Sequence, residues 1–247
     1  VQILSSNLVS NGNFSQEGSQ LITNGDFATD SDWGKEVGWT ISNGSLVANS
    51  VTTGLAFQSN IVEANKSYKA TYDVVVTSGS IGLYFDGATG YQGIVTTTQT
   101  ITVFFKATTA SPLYFRSNTS NFTGSIDNIS VKEVGQNWTL GTGWSIGDGK
   151  AISDGTQTAY STIKQIGAAP INTNYKMVFT ADITSGSILP SVGGSNGQGQ
   201  ISASGTYTFY TIASTGDNGL YFGASADFVG SITNISVLEI TDDTNLP

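Results

Sequence analysis

Apolar and polar residues alternate over short stretches along most of this chain. Residues 67–77 show it best. Tyr68, Ala70, Tyr72, Val74 and Val76 take one phase, and Lys69, Thr71, Asp73 and Val75 take the other. A period of two marks a strand with one buried face. Tyr175, Met177, Phe179, Ala181 and Ile183 repeat the pattern further on. In 100–106, Ile101, Val103 and Phe105 alternate with Thr102, Phe104 and Lys106. The later stretch sets Tyr207, Phe209 and Thr211 against Thr208, Tyr210 and Ile212. Such runs, also at 81–86, 113–116 and 125–134, are rich in Val, Ile, Thr, Tyr and Phe and are separated by Gly, Asn, Ser and Asp, the turn formers. Almost nothing repeats at 3.6 residues with caps, so the pattern predicts few helices and an antiparallel sandwich or barrel.

The chain also states this pattern twice. Trp33, Gly38, Trp39 and Ile41 return as Trp138, Gly143, Trp144 and Ile146, 105 residues later. Tyr68-Lys69 followed by Ser78-Gly79-Ser80-Ile81 returns as Tyr175-Lys176 followed by Ser185-Gly186-Ser187-Ile188. Leu113-Tyr114-Phe115 and Asn128-Ile129-Ser130-Val131 return as Leu220-Tyr221-Phe222 and Asn234-Ile235-Ser236-Val237. A repeat of this length is a domain, long enough to bury a core without disulfides. We expect two sandwiches in tandem, 21–134 and 135–240, with 241–247 as a linker into a further domain. Residues 1–20 form an N-terminal arm carrying a third, partial copy: Leu8-Val9-Ser10-Asn11-Gly12-Asn13-Phe14 shadows Leu21-Ile22-Thr23-Asn24-Gly25-Asp26-Phe27. It reads either as a duplicated first strand pairing at the sandwich edge or as an arm docking on a neighbouring subunit by strand addition.

Composition narrows the chemistry. The chain has no His and no Cys, which removes Ser–His–Asp and Cys–His catalysis and zinc sites. Eighteen acidic against nine basic residues give a net charge of −9, so nucleic acid is not an expected partner. Apolar runs such as 72–76 are too short to span a bilayer. The single methionine is Met177 and the first residue is Val1, as expected for a processed product or a fragment. The five glutamates, Glu17, Glu36, Glu63, Glu133 and Glu239, include no pair marked for glycosidase chemistry, and no enzyme activity is expected.

Asn24-Gly25-Asp26-Phe27, then Gly38-Trp39, then the closing Ser125-Ile126-Asp127-Asn128-Ile129-Ser130-Val131 resemble carbohydrate-binding modules of families 4 and 9. The resemblance covers 21–134 well and 135–240 less, because the second copy lacks the opening Asn-Gly-Asp-Phe. It implies an all-β chain of two tandem antiparallel β-sandwich (jelly-roll) domains of the galactose-binding-like type. Similar modules look familiar from bacteriophage appendage and surface proteins. The resemblance also implies a structural calcium ion where the opening and closing strands meet, with Asp26 and Asp127 at the matching positions. The second copy has Thr233 in place of Asp127, so calcium is expected in the first module only. The other reading of the two acids is a pair of turn caps. Asp30 and Asp32 read as a solvated loop.

Trp33, Trp39, Trp138 and Trp144 recur in both copies and read as packing residues rather than ligand stackers. Ligand candidates lie instead on the polar phase of the strands. Tyr84, Phe104, Tyr114 and Arg116, with Asp73 and Asp86 as hydrogen-bonding groups, would make a sugar platform on one sheet. Tyr91, in a loop, and Tyr210 and Tyr221, the counterparts of Phe104 and Tyr114, complete the set. Arg116 becomes Gly223 and Tyr84 aligns with Ser191, which points to the first module. The opposing reading is that these aromatics cover another module or subunit, or simply face solvent. The expected role is a non-catalytic binding and display segment of a larger extracellular or virion-surface protein. Its expected partners are glycans or cell-surface polysaccharide and other virion or assembly subunits, with homo-oligomerisation through the parent protein. The alternatives are a structural spacer or the accessory binding module of a secreted polysaccharide-degrading enzyme.

Overall fold

The computed structural model describes residues 1–85, 90–118, 121–196, 199–214 and 218–241. Among these there is no helix, and every strand pairing is antiparallel. No helix therefore crosses a membrane among the described residues. The chain divides into two compact units, 17–134 and 1–16 with 135 onward.

Among the described residues of the first unit, eleven strands form two sheets. The strands are β1 (Glu17–Gln20), β2 (Gly34–Lys35), β3 (Trp39–Ser42), β4 (Ser45–Val51), β5 (Ala56–Val62), β6 (Ser67–Ser78), β7 (Ile81–Phe85), β8 (Tyr91–Val95), β9 (Gln99–Lys106), β10 (Ser111–Ser117) and β11 (Phe122–Val134). One sheet runs β3-β4-β11-β6-β9 with β1 also on β11, and the other runs β2-β5-β10-β7-β8. The alternation predicted for 67–77 is observed, since Tyr68, Ala70, Tyr72 and Val74 are buried. Their rings and methyls meet those of the opposite sheet. Phe85 stacks on Phe105 at 4.2 Å, and Tyr72 sets its edge to Phe115 at 5.2 Å.

The second unit repeats the plan with β12 (Thr139–Leu140), β13 (Trp144–Gly147), β14 (Lys150–Asp154), β15 (Ser161–Ile166), β16 (Asn174–Ser185), β17 (Ile188–Val192), β18 (Gly205–Ile212), β19 (Gly219–Ala224) and β20 (Val229–Glu239). Its sheets run β12-β15-β19-β17 and β13-β14-β20-β16-β18. Phe179 packs on Phe222 across the gap, with ring centroids 4.9 Å apart. All four tryptophans are buried, as their recurrence predicts.

The expected boundary at 20/21 falls instead at 16/17, because the N-terminal segment is the missing opening of the second unit. The correspondence holds bond by bond. Leu21 donates its amide to Val131 and Leu8 to Val237, each at 2.9 Å. The Ile129 amide donates to the Gly25 carbonyl at 2.8 Å and the Ile235 amide to the Gly12 carbonyl at 2.9 Å. A Cβ on Gly25 would lie 2.2 Å from the Ile129 oxygen, and one on Gly12 would lie 2.1 Å from that of Ile235. Only glycine fits either place. Phe27 then plugs onto Trp33 and Phe14 onto Trp138, both with centroids 5.2 Å apart. The tryptophan indoles donate back to the Asn24 and Asn11 carbonyls at 3.1 and 3.2 Å.

One difference marks the splice. Asn24 holds its own loop, donating to the carbonyls of Thr29 and Ser31 at 2.7 and 3.0 Å. After Gln16 the chain runs into β1 instead, and the Asn11 side-chain nitrogen has no partner. Residues 17–134 thus interrupt the second unit between its Phe plug and the tryptophan it covers. Of the two sequence readings of the arm, the structure shows contact within the same chain, though not as a strand at the sandwich edge. The segment makes separate backbone bonds and one isolated bridge to β20 and its end, and β20 lies between β14 and β16.

Candidate functional site

The sheet β2-β5-β10-β7-β8 carries a row of aromatic rings on its outer side. Phe57, Tyr114, Tyr84 and Tyr91 stand on β5, β10, β7 and β8, each directly opposite the next in register. Leu83, Phe85, Leu113 and Phe115 point inward and are buried, so the pleat turns Tyr84 and Tyr114 outward. Successive centroids are 6.0, 6.3 and 5.4 Å apart, and the rings are tilted or edge-on to one another. Four neighbouring strands at sheet spacing give a strip of roughly 15 Å.

The row is held in place from several sides. Phe57 lies over Gly34 on the edge strand, where a Cβ would come within 2.3 Å of the ring. The Tyr91 hydroxyl donates to the Ser117 carbonyl at 2.7 Å, which ties β8 back to β10. Exposed Arg116 stands two residues beyond Tyr114, opposite Gly82. With no side chain on Gly82 to block it, the guanidinium lies 5.3 Å from the Tyr84 centroid and 6.0 Å from that of Tyr91. Such cation–π contacts fix a charged group without neutralising it. The strip can therefore offer apolar ring surface beside a bank of N–H donors.

The other predicted residues do not all join this row, which corrects the single-platform expectation. Phe104 and Asp73 lie on β9 and β6, in the opposite sheet. The Asp73 carboxylate accepts from Thr100 Oγ1 at 2.5 Å and from Asn128 Nδ2 at 2.8 Å. These two bonds, Thr100 foremost, hold its pKa below the ordinary carboxylate value. Its acceptors are thus spent on local structure. The physical reason for the split is register: alternation says which phase points out, but not which of two sheets a strand joins. Tyr91, expected in a loop, belongs to β8. Asp86 lies outside the described residues.

In the second unit, Tyr221 occupies the place of Tyr114, between Lys164 on β15 and Ser191 on β17. Lys164 Nζ lies 6.0 Å from the Tyr221 centroid. Above Gly223, the position matching Arg116, the Tyr160 hydroxyl sits where a Cβ would be. Tyr160 is 58% exposed overall, yet burial of the hydroxyl raises its pKa. Tyr210 is on β18 in the other sheet, opposite Lys176.

For a cation, Asp26 and Asp127 offer two carboxylates that each already accept from a neighbouring amide. Asp26 takes that of Ala28 at 3.4 Å and Asp127 that of Asn128 at 2.7 Å. The residue facing Asp127 across the ladder is Asp73. Among the described residues no group of three acids gathers.

No protein-family model matches the chain, and no curated protein does. Among solved structures, the tandem CBM22-1–CBM22-2 domain of Paenibacillus barcinonensis Xyn10C covers 92% of this chain and 99% of its own, at 10% identity and a TM-score of 0.40. A fucolectin from striped bass (Morone saxatilis) serum covers 96% of this chain and 99% of its own, at 8% identity and a TM-score of 0.30. The secreted serine protease VesC of Vibrio cholerae covers 74% of this chain and 50% of its own, at 9% identity and a TM-score of 0.30. Likenesses this distant say nothing about this chain's ligand.

Sequence reasoning missed Phe57, Tyr160 and Lys164. Phe57 had a usable signal, a large ring on the outward phase between buried Ala56 and Gln58. Tyr160 precedes β15 and carries no periodic signal at all.

Proposed function

We propose that this chain is a non-catalytic glycan-binding segment, with the Phe57–Tyr114–Tyr84–Tyr91 strip of the first unit as its contact surface. The observation that carries the reading is the strip itself. Half-buried rings on four paired strands form a rigid face, and Arg116 beside them supplies hydrogen-bond donors. Ring faces match the C–H faces of pyranose rings, and the donors suit hydroxyl or acidic oxygens. The setting proposed with it is a larger extracellular or virion-surface protein, in which repeated copies multiply weak contacts into avidity. Calcium at Asp26 and Asp127 is a separate proposal, drawn from the sequence resemblance. Its test is a calcium-dependent rise in the melting temperature of the 17–134 unit that Asp127→Asn removes; a melting temperature indifferent to calcium overturns it.

A glycan array probed with the intact chain tests the binding reading. The expected result is retention of at least one glycan class, lost on Tyr114→Ala. Retention of no glycan, or retention unchanged by Tyr114→Ala and Tyr84→Ala alike, overturns it.

A further inference from the structure

The chain carries twice as many acids as bases, and where its cations go is informative. Lys35, Lys66, Lys69 and Lys132 each pair with a carboxylate: Asp30, then Glu63 with Glu133, then Glu17 for the last two. Arg116 and Lys164, like Lys150 and Lys176, form no such pair among the described residues. The first two rest on tyrosine rings, Arg116 on Tyr84 and Tyr91 and Lys164 on Tyr221. Both lie on the outer side of the corresponding sheet, Arg116 two residues along the strand from Tyr114 and Lys164 opposite Tyr221, the counterpart of Tyr114.

The two cations reach that place by different routes. Arg116 is two residues along the tyrosine's own strand, and its counterpart in the second unit is Gly223. Lys164 comes from the neighbouring strand, opposite Tyr221, where the first unit has Phe57 opposite Tyr114. The identity, position and ring partners of the cation thus differ, and what the two units share is a cation held against an outward tyrosine of the corresponding sheet. Packing alone asks for no charge there. A ring-bound cation keeps its outward N–H donors and its charge, which suits an anion arriving from solution. In the second unit Tyr160, 58% exposed and lying over Gly223, adds a second ring next to the Tyr221–Lys164 pair.

We propose that the ligand is an acidic saccharide, bearing carboxylate or sulfate groups, and that each unit holds one such site: Tyr114, Tyr84, Tyr91 and Arg116 in the first, Tyr221, Tyr160 and Lys164 in the second. Sugar rings lie on the tyrosines, and the acidic substituent meets the cation. A carboxylate meets Arg116 through two parallel N–H bonds, which lysine cannot supply, so the first site is the more selective of the two. The inference rests on the glycan-binding reading, and its test separates the two.

Binding is measured by affinity electrophoresis against matched pairs, polygalacturonate with its methyl ester and hyaluronan with its carboxyl-reduced form. Each pair shares a backbone and differs in charge. The expected result is that the acidic member of at least one pair binds about tenfold or more tightly. That preference shrinks as salt screens the charges. Arg116→Gln with Lys164→Gln abolishes the preference, so that the two members of a pair bind alike, and Arg116→Lys keeps part of it. Equal binding of both members, or preference for the neutral one, with loss on Tyr114→Ala, overturns the acidic inference and leaves the glycan reading standing. Retention by neither pair overturns the acidic inference; failure across the glycan array overturns the broader reading as well.

Discussion

Phe14 should control the stability of a unit whose other strands begin more than 120 residues later in the chain. Its side chain is 2% exposed, and its ring lies 5.2 Å from Trp138. Truncating a buried Phe to Ala costs about 3–5 kcal/mol from lost transfer energy and the cavity left behind. A domain of this size is stable by about 5–15 kcal/mol in all, so the loss is a large fraction. At a few degrees per kcal/mol, Phe14→Ala lowers the melting temperature of the second unit by roughly 10–20 °C. Deleting 1–16 goes further. It also removes the backbone bonds from Leu4, Leu8 and Gly12 to β20, and those of Ser10 to the Gln165 amide at 2.8 and 2.9 Å. Scanning calorimetry of the intact chain should resolve two transitions, and the deletion should abolish one while the 17–134 transition stays. A synthetic 1–16 peptide added to the deleted chain should restore part of the lost transition. If the deletion leaves both transitions in place, or lowers that of 17–134 instead, the assignment of the N-terminal segment to the second unit is wrong.

The paired glycines make a reciprocal test by the same method: Gly25→Ala should lower only the 17–134 transition and Gly12→Ala only the other. Each puts a methyl within 2.2 Å of a backbone oxygen that cannot move aside, a cost of about 1–3 kcal/mol or more. Glu17 bridges Lys69 and Lys132 at 2.7 and 2.9 Å, and these bonds, Lys69 first, hold its pKa below the ordinary value. A depressed folded pKa gives stability that is present above the unfolded value and lost as pH falls through the folded one. Melting of the 17–134 unit should therefore show an acid limb that Glu17→Gln flattens. The change should be about 1 kcal/mol or less for so exposed a pair. An acid limb unaffected by Glu17→Gln would assign it to other groups, Asp73 first. Gly34→Val should displace the Phe57 ring and weaken glycan binding severalfold with little change in the far-UV spectrum; unchanged binding would remove Phe57 from the contact surface.

Alternation along 67–77 gave the buried face of β6 correctly, because a two-residue period follows from strand geometry whatever the neighbours are. The same alternation placed Tyr84, Tyr114 and Phe104 outward, and all three do face out. It carried no information on which sheet each strand joins, so Phe104 and Asp73 were grouped with rings on the opposite side of the sandwich. The partial copy at 8–14 was visible as a repeat. Its destination was not, because the partner strand β20 is more than 200 residues away and only the Ile235 and Val237 backbone shows what Gly12 and Leu8 pair with. Tyr160 was out of reach for a similar reason, since its place over Gly223 depends on a non-periodic segment folding back across the sheet.

The contact surface itself is tested most directly by comparing two single truncations on opposite sheets. Titration calorimetry with the best-retained glycan should show Tyr114→Ala weakening binding about tenfold, as expected for loss of one stacking ring worth roughly 1–1.5 kcal/mol. Phe104→Ala, on the other sheet, should leave the affinity unchanged. Equal losses in both variants, or a loss in Phe104→Ala alone, would contradict the assignment of the ligand face to the Phe57–Tyr114–Tyr84–Tyr91 strip.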